Sequence, residues 1–241
     1  KRLTGREWGI QRDNIEIIPN WADCSAISPV TASENQFRKE IGSGSEFLVM
    51  HSGNMGLTQR QDILVRACAE PNWPTNAKLL LVGNGAARSQ LLELTKRLGL
   101  KQSRLQFVDY QPRKRLAESL SAADVHVVSM HEQITGCLCP SKLYGIMAAG
   151  RPVIAIADPK TDLSQTILER GIGWCVQPGD PAGIAHAVAE SEQESRTNRD
   201  SIDGGLTSKR RNSRHAAISD FDRPVIINRF ANLLSSVLDG T

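Results

Sequence analysis

No stretch of this chain is long and apolar enough to cross a membrane, and no secretory signal is visible in it. Aromatic residues make up only 5% of the sequence and the net charge is only +3. Without a large basic excess, or a basic run interleaved with aromatics, no nucleic acid is expected as a partner. Cysteine is scarce too. Five residues, an odd number without framework spacing, fit a reducing compartment better than a disulfide scaffold. The one close pair, Cys137 and Cys139, is a single Cys-x-Cys; structural thiols are the simpler reading, and no metal site is expected. Neither glycine-rich loop continues into Gly-Lys-Ser or Gly-Lys-Thr, and the lone Gly-x-Gly at 83–85 is too short for a dinucleotide fingerprint. That disfavours an ATPase or an NAD enzyme. No Ser/His/Asp or Cys/His spacing argues for nucleophilic catalysis.

What is present is a repeating alternation. With 241 residues and 40% hydrophobic content the chain can bury a full core. The apolar runs 47–52, 78–82, 105–108, 124–129, 153–155 and 174–176 read as buried strands. Most lead through a short loop into a helix: 57–70, 86–98, 113–122, 161–170 and 181–190. Such βα units predict an α/β fold with a Rossmann-like, doubly wound parallel sheet and right-handed crossovers. Asn14 to Asp23 reads as a short strand into a turn, the tail of a preceding domain and linker (1–23), because the chain opens on Lys1 and is expected to be part of a longer protein. The sheet domain would span 24–222. Within it, 190–220 is polar, charged and poor in aliphatics, an exposed and mobile segment by this reading. The basic cluster Lys209-Arg210-Arg211, with Arg214, reads as a solvated helix face, with a membrane or phosphate contact as the alternative. Residues 223–241 close the chain as an amphipathic helix, with Ile227, Phe230, Leu233, Leu234 and Val237 along one side.

One stretch gathers several signals, Gly136-Cys-Leu-Cys-Pro-Ser-Lys-Leu-Tyr-Gly-Ile-Met-Ala-Ala-Gly-Arg-Pro-Val153. Pro140 and Ser141 can open a helix, Ser141 supplying a capping oxygen, and Gly150 with Pro152 ends it. Lys142 beside the positive end of that helix suits an anion, most simply a phosphate; an ordinary capped helix is the alternative. In open parallel sheets ligands bind beyond the carboxyl ends of the strands. Gly53 to Gly56, Gly83 to Gly85, Asp109-Tyr110, 130–135 and Pro140 to Lys142 should therefore share one rim. Two glycine loops and a lysine suit a diphosphate, and Tyr110 offers aromatic surface for a base. Of the histidines, His126 sits inside a buried strand as a satisfied core residue, His51 stands just before the first glycine loop, and His131, heading the loop before the Gly136 to Val153 stretch, is the functional candidate.

Taken together, Ile-Pro-Asn-Trp-Ala-Asp at 18–23, His-Ser-Gly-Asn-Met-Gly at 51–56, Leu-Leu-Val-Gly-Asn-Gly at 80–85, Met-Ala-Ala-Gly-Arg-Pro-Val-Ile at 147–154 and Gly-Ile-Gly-Trp-Cys-Val-Gln-Pro-Gly-Asp at 171–180 form a specific set. The chain resembles the C-terminal, nucleotide-sugar-binding domain of retaining GT-B glycosyltransferases of the group 1 or family 4 kind. Pro-Ser-Lys-Leu-Tyr at 140–144 is most similar to bacterial exopolysaccharide and colanic-acid-type transferases. The resemblance implies one half of a GT-B fold, moving a sugar from a UDP- or GDP-type donor to an acceptor, with retention and without metal or other cofactor. The acceptor-binding domain would precede Lys1. A cytoplasmic protein is implied, with the inner face of the membrane as a further location through peripheral contact of the full-length protein. Gly53, Asn54 and Gly56 would face the diphosphate, Gly83 and Gly85 would border the nucleotide, and Tyr110 would sit by the base. Ser141, Lys142 and Leu143 would meet the phosphates, with Lys142 as the catalytic charge on the leaving diphosphate and His131 on the sugar side.

Departures from the family pattern accompany the resemblance. Where an Arg and a Lys commonly follow the first glycine loop, this chain has Leu57-Thr58-Gln59, with Arg60 displaced. The usual pair of glutamates would fall on Cys137 and Gly145. A non-catalytic regulatory or partner-binding domain of the same fold is therefore the alternative; a nucleotide-sugar 2-epimerase, whose acid and histidine pattern is not apparent, is a more distant one.

Overall fold

The apolar runs form the centre of the molecule in the computed structural model, which describes residues 15–42, 44–56, 59–129, 140–197 and 205–239. They are β1 (Phe47–Ser52), β2 (Ala77–Val82), β3 (Leu105–Val108), β4 (Val125–Ser129), β5 (Val153–Ile156) and β6 (Gly173–Val176). All pair in parallel, in the order β3-β2-β1-β4-β5-β6. Every residue of β2, β4 and β5 is buried. A parallel sheet covered on both faces has no solvent side, so its strands read as unbroken apolar runs.

The helices are α1 (Gln36–Glu40), α2 (Gln61–Ala67), α3 (Arg88–Arg97), α4 (Leu116–Ser121), α5 (Lys142–Ala148), α6 (Asp162–Glu169), α7 (Pro181–Thr197), α8 (Gly205–Asp220) and α9 (Arg223–Asp239). Alternate strand residues serve opposite faces. Val49, Leu79, Val127 and Ile154 pack with Leu64, Leu91 and Val188 from α2, α3 and α7. On the other face Val128, Val153 and Ala155 meet α5, α6 and α8, while Leu48 and Leu80 meet Phe37 of α1.

Several expectations need correction. Residues 15–21 form no strand: among the described residues they have no neighbouring strand to bond, Ile17 and Trp21 are about half exposed, and the nearest pairing is one bridge between Ala22 and Asp222. That bridge brings the two expected domain boundaries side by side, with Arg223 N donating to Ala22 O at 2.9 Å. The segment expected to be exposed from 190 onward is instead largely helical: α7 runs on to Thr197, and Ser213, Ala216 and Ala217 of α8 are buried against α5. Small residues and arginine stems cover this face, so a search for aliphatic periodicity misses it. Nor is the basic cluster a solvated face. Lys209 pairs with Glu194 at 2.9 Å, Arg210 with Asp124 at 2.9 Å, and Arg214 donates to the carbonyls of Cys24, Ile27 and Ala148. Finally, the apolar stripe of α9 faces outward, with Ile227, Phe230, Leu234 and Val237 exposed while Ile226 is buried.

Candidate functional site

The connections reverse direction between β1 and β4, and the carboxyl ends of those strands mark where such sheets bind ligands. Beyond β1 and β2 the two glycine loops continue the pairing of their strands: Gly53 N donates to Val82 O at 2.9 Å, Met55 N to Asn84 O at 2.9 Å, and Ala87 N to Met55 O at 2.9 Å. Their approach is so close that a Cβ on Gly83, at φ +134°, would lie 2.0 Å from Gly53 O. No other residue type fits there. The far side of the second loop is braced by Arg88, which donates to Gly83 O at 3.2 Å and pairs with Asp109, and by the Tyr110 hydroxyl, which donates to Asn84 O at 3.2 Å.

Lys142 opens α5 and reaches across this rim. Its Nζ donates to Gln59 Oε1 at 3.1 Å and stands 3.5 Å from where a Cβ on Gly53 would be. Gln59 is fixed in turn: Ser129, the last residue of β4, donates its hydroxyl to the Gln59 backbone oxygen, and Gln61 Nε2 donates to Gln59 Oε1 at 3.3 Å and to Asn54 O at 3.2 Å. Below lies His51, fully buried, its Nε2 3.2 Å from Gln61 Nε2. Burial, with the Lys142 charge adding to it, pushes the His51 pKa down to about 3, so the imidazole is neutral at ordinary pH. Burial also lowers Lys142, to about 8. Among the described residues its ammonium is held by one neutral amide oxygen, a site that has desolvated a cation and gains from an approaching anion.

A profile of the glycosyl transferases group 1 family matches residues 46–193, the region that contains both glycine loops, Lys142 and all six strands. The chain belongs to this family. It is 29% identical over 180 residues to a probable glycosyltransferase, WbjE, of Pseudomonas aeruginosa, covering 73% of this chain and 44% of that protein. With the putative colanic acid biosynthesis glycosyl transferase WcaI of Escherichia coli K12 it shares 27% identity over 189 residues, 77% of this chain and 46% of the relative. The chain thus spans about half the length of these curated relatives. Among solved structures, Anabaena HepE in complex with UDP-glucose superposes with a TM-score of 0.76 at 21% identity, over 95% of this chain and 59% of the other. A glycosyltransferase of Rickettsia africae superposes with a TM-score of 0.82 at 16% identity, over 100% and 62%. The fold is the Rossmann-like sheet of the GT-B glycosyltransferases.

Against the group 1 pattern, the structure gathers some of the expected residues and not others. Gly53, Asn54, Gly83, Gly85, Tyr110 and Lys142 come together on one rim; a Cβ on Gly85 would lie 2.5 Å from Asn54 Oδ1. Gly56 stands at its edge, lining a recess with Arg60, Gln61 and Asp62. Ser141 does not cap: its backbone is already helical (φ −56°, ψ −24°) and its side chain accepts nothing from the helix. The turn starts one residue earlier, and Leu143 N donates to Pro140 O at 3.0 Å. The side chain of Leu143 is a core residue. His131 and Cys137 lie outside the described residues. At Gly145 an added Cβ would meet Leu120 Cδ1 at 3.3 Å and Ile27 Cδ1 at 3.9 Å, apolar surroundings that would make a carboxylate there costly.

Sequence reasoning missed Gln59, Gln61 and Ser129. The missing basic pair after the first glycine loop was the signal that could have found them. Where the group 1 pattern has a lysine on that side, this chain offers an amide oxygen that positions a lysine from the opposite side.

Proposed function

We propose that this chain is the donor-binding half of a retaining glycosyltransferase that moves a hexose-type sugar from a UDP- or GDP-linked donor to an acceptor in bacterial polysaccharide or glycoconjugate synthesis. The carrying observation is the Lys142 ammonium poised over Gly53, beside Gln59. In this reading the diphosphate lies against the Gly53 loop, near Asn54 and Gly56, and Lys142 neutralises the charge that grows on it as the glycosidic bond breaks. The base stacks by Tyr110 and borders Gly83 and Gly85. No metal or other cofactor is required, because Lys142 supplies the positive charge. With no carboxylate available at Gly145, backbone groups of the rim hold the ribose. The acceptor sits on a domain preceding this one, in a cytoplasmic protein working at the inner face of the membrane. The similarity to WbjE and to the colanic acid transferase WcaI, and the UDP-glucose bound to HepE, support this reading.

Calorimetry on this chain tests it. Nucleoside diphosphates should bind more tightly than inorganic phosphate or pyrophosphate, and equal affinity for all of them would defeat the donor assignment. In the full-length protein, Lys142→Ala should abolish sugar transfer; unchanged transfer would remove the catalytic role and leave the regulatory-domain alternative.

A further inference from the structure

A second cluster of cations lies at the opposite, amino-terminal edge of the sheet. Asp124 directly precedes β4 and Arg151 precedes β5 by two residues, whereas the donor loops follow the strands. Here a cavity of about 660 Å³ opens between α8 and the 29–32 loop, within the size range of small-molecule sites. Its lining has two characters. Pro29, Val30, Ala32 and Ile218 supply an apolar wall, and Arg151 and Arg210 bring positive charge to it.

The charge is not balanced. Asp124 is the one carboxylate lining the cavity among the described residues, and it is already occupied: it accepts from Arg38 at 3.1 Å, from Arg210 at 2.9 Å and from Leu48 N at 2.9 Å. Arg151, 7% exposed, donates to Val30 O at 3.1 Å and meets no carboxylate among the described residues. Among the described residues the buried Nε–H groups of Arg151 and Arg210 meet no partner. Burial pushes the Arg151 pKa down to about 9, and Arg210 and Arg38 reinforce it by repulsion while Asp124 only partly opposes them. Buried donors left unmet, and like charges left facing each other, are costly arrangements for a purely structural network. An anion held beside the two guanidinium groups offsets their mutual repulsion, since planar guanidinium forks match phosphate oxygens.

We propose that this cavity is a second ligand site, separate from the donor rim, that takes an organic phosphate: the phosphate between Arg151 and Arg210, an apolar body along Val30, Ala32 and Ile218. The phosphate can belong to a lipid headgroup or to a free phosphorylated metabolite; the chemistry is shared.

Calorimetry at fixed ionic strength with monohexyl phosphate and inorganic phosphate tests the site. Monohexyl phosphate should bind saturably, about tenfold tighter than inorganic phosphate, because the hexyl chain buries apolar surface. Arg151→Gln should weaken both by about tenfold or more through loss of a charge-assisted hydrogen bond. Arg210→Gln, at a partly exposed position, gives a second reading should the first variant unfold. Ile218→Asp should erase the hexyl advantage, and saturating UDP, which fills the donor rim, should leave hexyl phosphate binding unchanged. Flotation with phosphatidylcholine vesicles carrying phosphatidic acid then separates the sources. Flotation that Arg210→Gln abolishes supports the site with a lipid headgroup, and hexyl phosphate binding without flotation supports it with a soluble metabolite. Unsaturable binding, folded arginine variants that bind as well as the parent, or loss of hexyl phosphate binding in saturating UDP would each overturn the proposal.

Discussion

Lys142 Nζ and Gln59 Oε1 meet at 3.1 Å although 83 residues separate them, and the contact exists because β1 and β4 are neighbours in the sheet. It places a partly dehydrated ammonium beside the Gly53 loop with a neutral partner. Function and stability therefore pull in opposite directions at this residue.

Lys142→Met should show both effects. Removing a desolvated charge is expected to raise thermal stability near neutral pH by about 1–3 kcal/mol, while nucleoside diphosphate affinity falls. Paired melting and calorimetry check this, and a variant that loses stability together with binding would mean that the ammonium is a structural strut.

Affinity should also follow pH. Lys142 is lowered to about 8, so above that value the free protein loses the cation and affinity for UDP falls, by about tenfold per pH unit until the pKa of the complex is reached. Folding responds with the opposite sign. Between 8 and the ordinary lysine value of 10.5 the unfolded chain holds the extra proton, so this group makes stability rise with pH across that window. Titrating UDP affinity in the parent and in Lys142→Met isolates the effect, which the variant should lack.

Acid should destabilise the fold through two histidines. His51 and His126 are lowered by burial, to about 3 and about 4, from the ordinary 6.5. Below 6.5 the unfolded chain binds protons that the folded one refuses, and stability falls progressively toward the folded values. His126→Asn should flatten the slope of melting temperature against pH between 6.5 and 4.

Gly83→Ala should be severe. Its Cβ would collide with Gly53 O at 2.0 Å, so one of the two loops must move, at a cost of about 2 kcal/mol or more on top of the unfavourable φ. Denaturant melts and UDP binding should both suffer, the second even where the fold survives.

Tyr110→Ala should separate the two properties. The ring is 55% exposed, so stability should hardly change, whereas loss of a stacking platform should cost about 1–3 kcal/mol of nucleotide affinity. Equal binding of UDP and pyrophosphate by the parent would contradict the role assigned to this ring.

The sequence by itself determined the six strands of the sheet, the two glycine loops after β1 and β2 and the parallel class, because a strand buried on both faces announces itself through its own residues. Lys142 stood out for the same local reason. Tertiary structure alone decided what these residues meet. Gln59 looked like the loss of a basic grip until the β1–β4 adjacency turned it toward Lys142, and Ser141 looked like a cap although its own backbone already lies in the turn that Pro140 opens. Helix α8 read as a polar tail because the small residues Ser213, Ala216 and Ala217, with arginine stems, carry little hydrophobic signal. Arg151 reaches Val30 across 121 residues, and Arg210 reaches Asp124 across 86. Hydrophobic patterning records what each residue gains by leaving water, which is a local quantity. Which charges then face one another depends on strand order, and the chain writes that only when it folds.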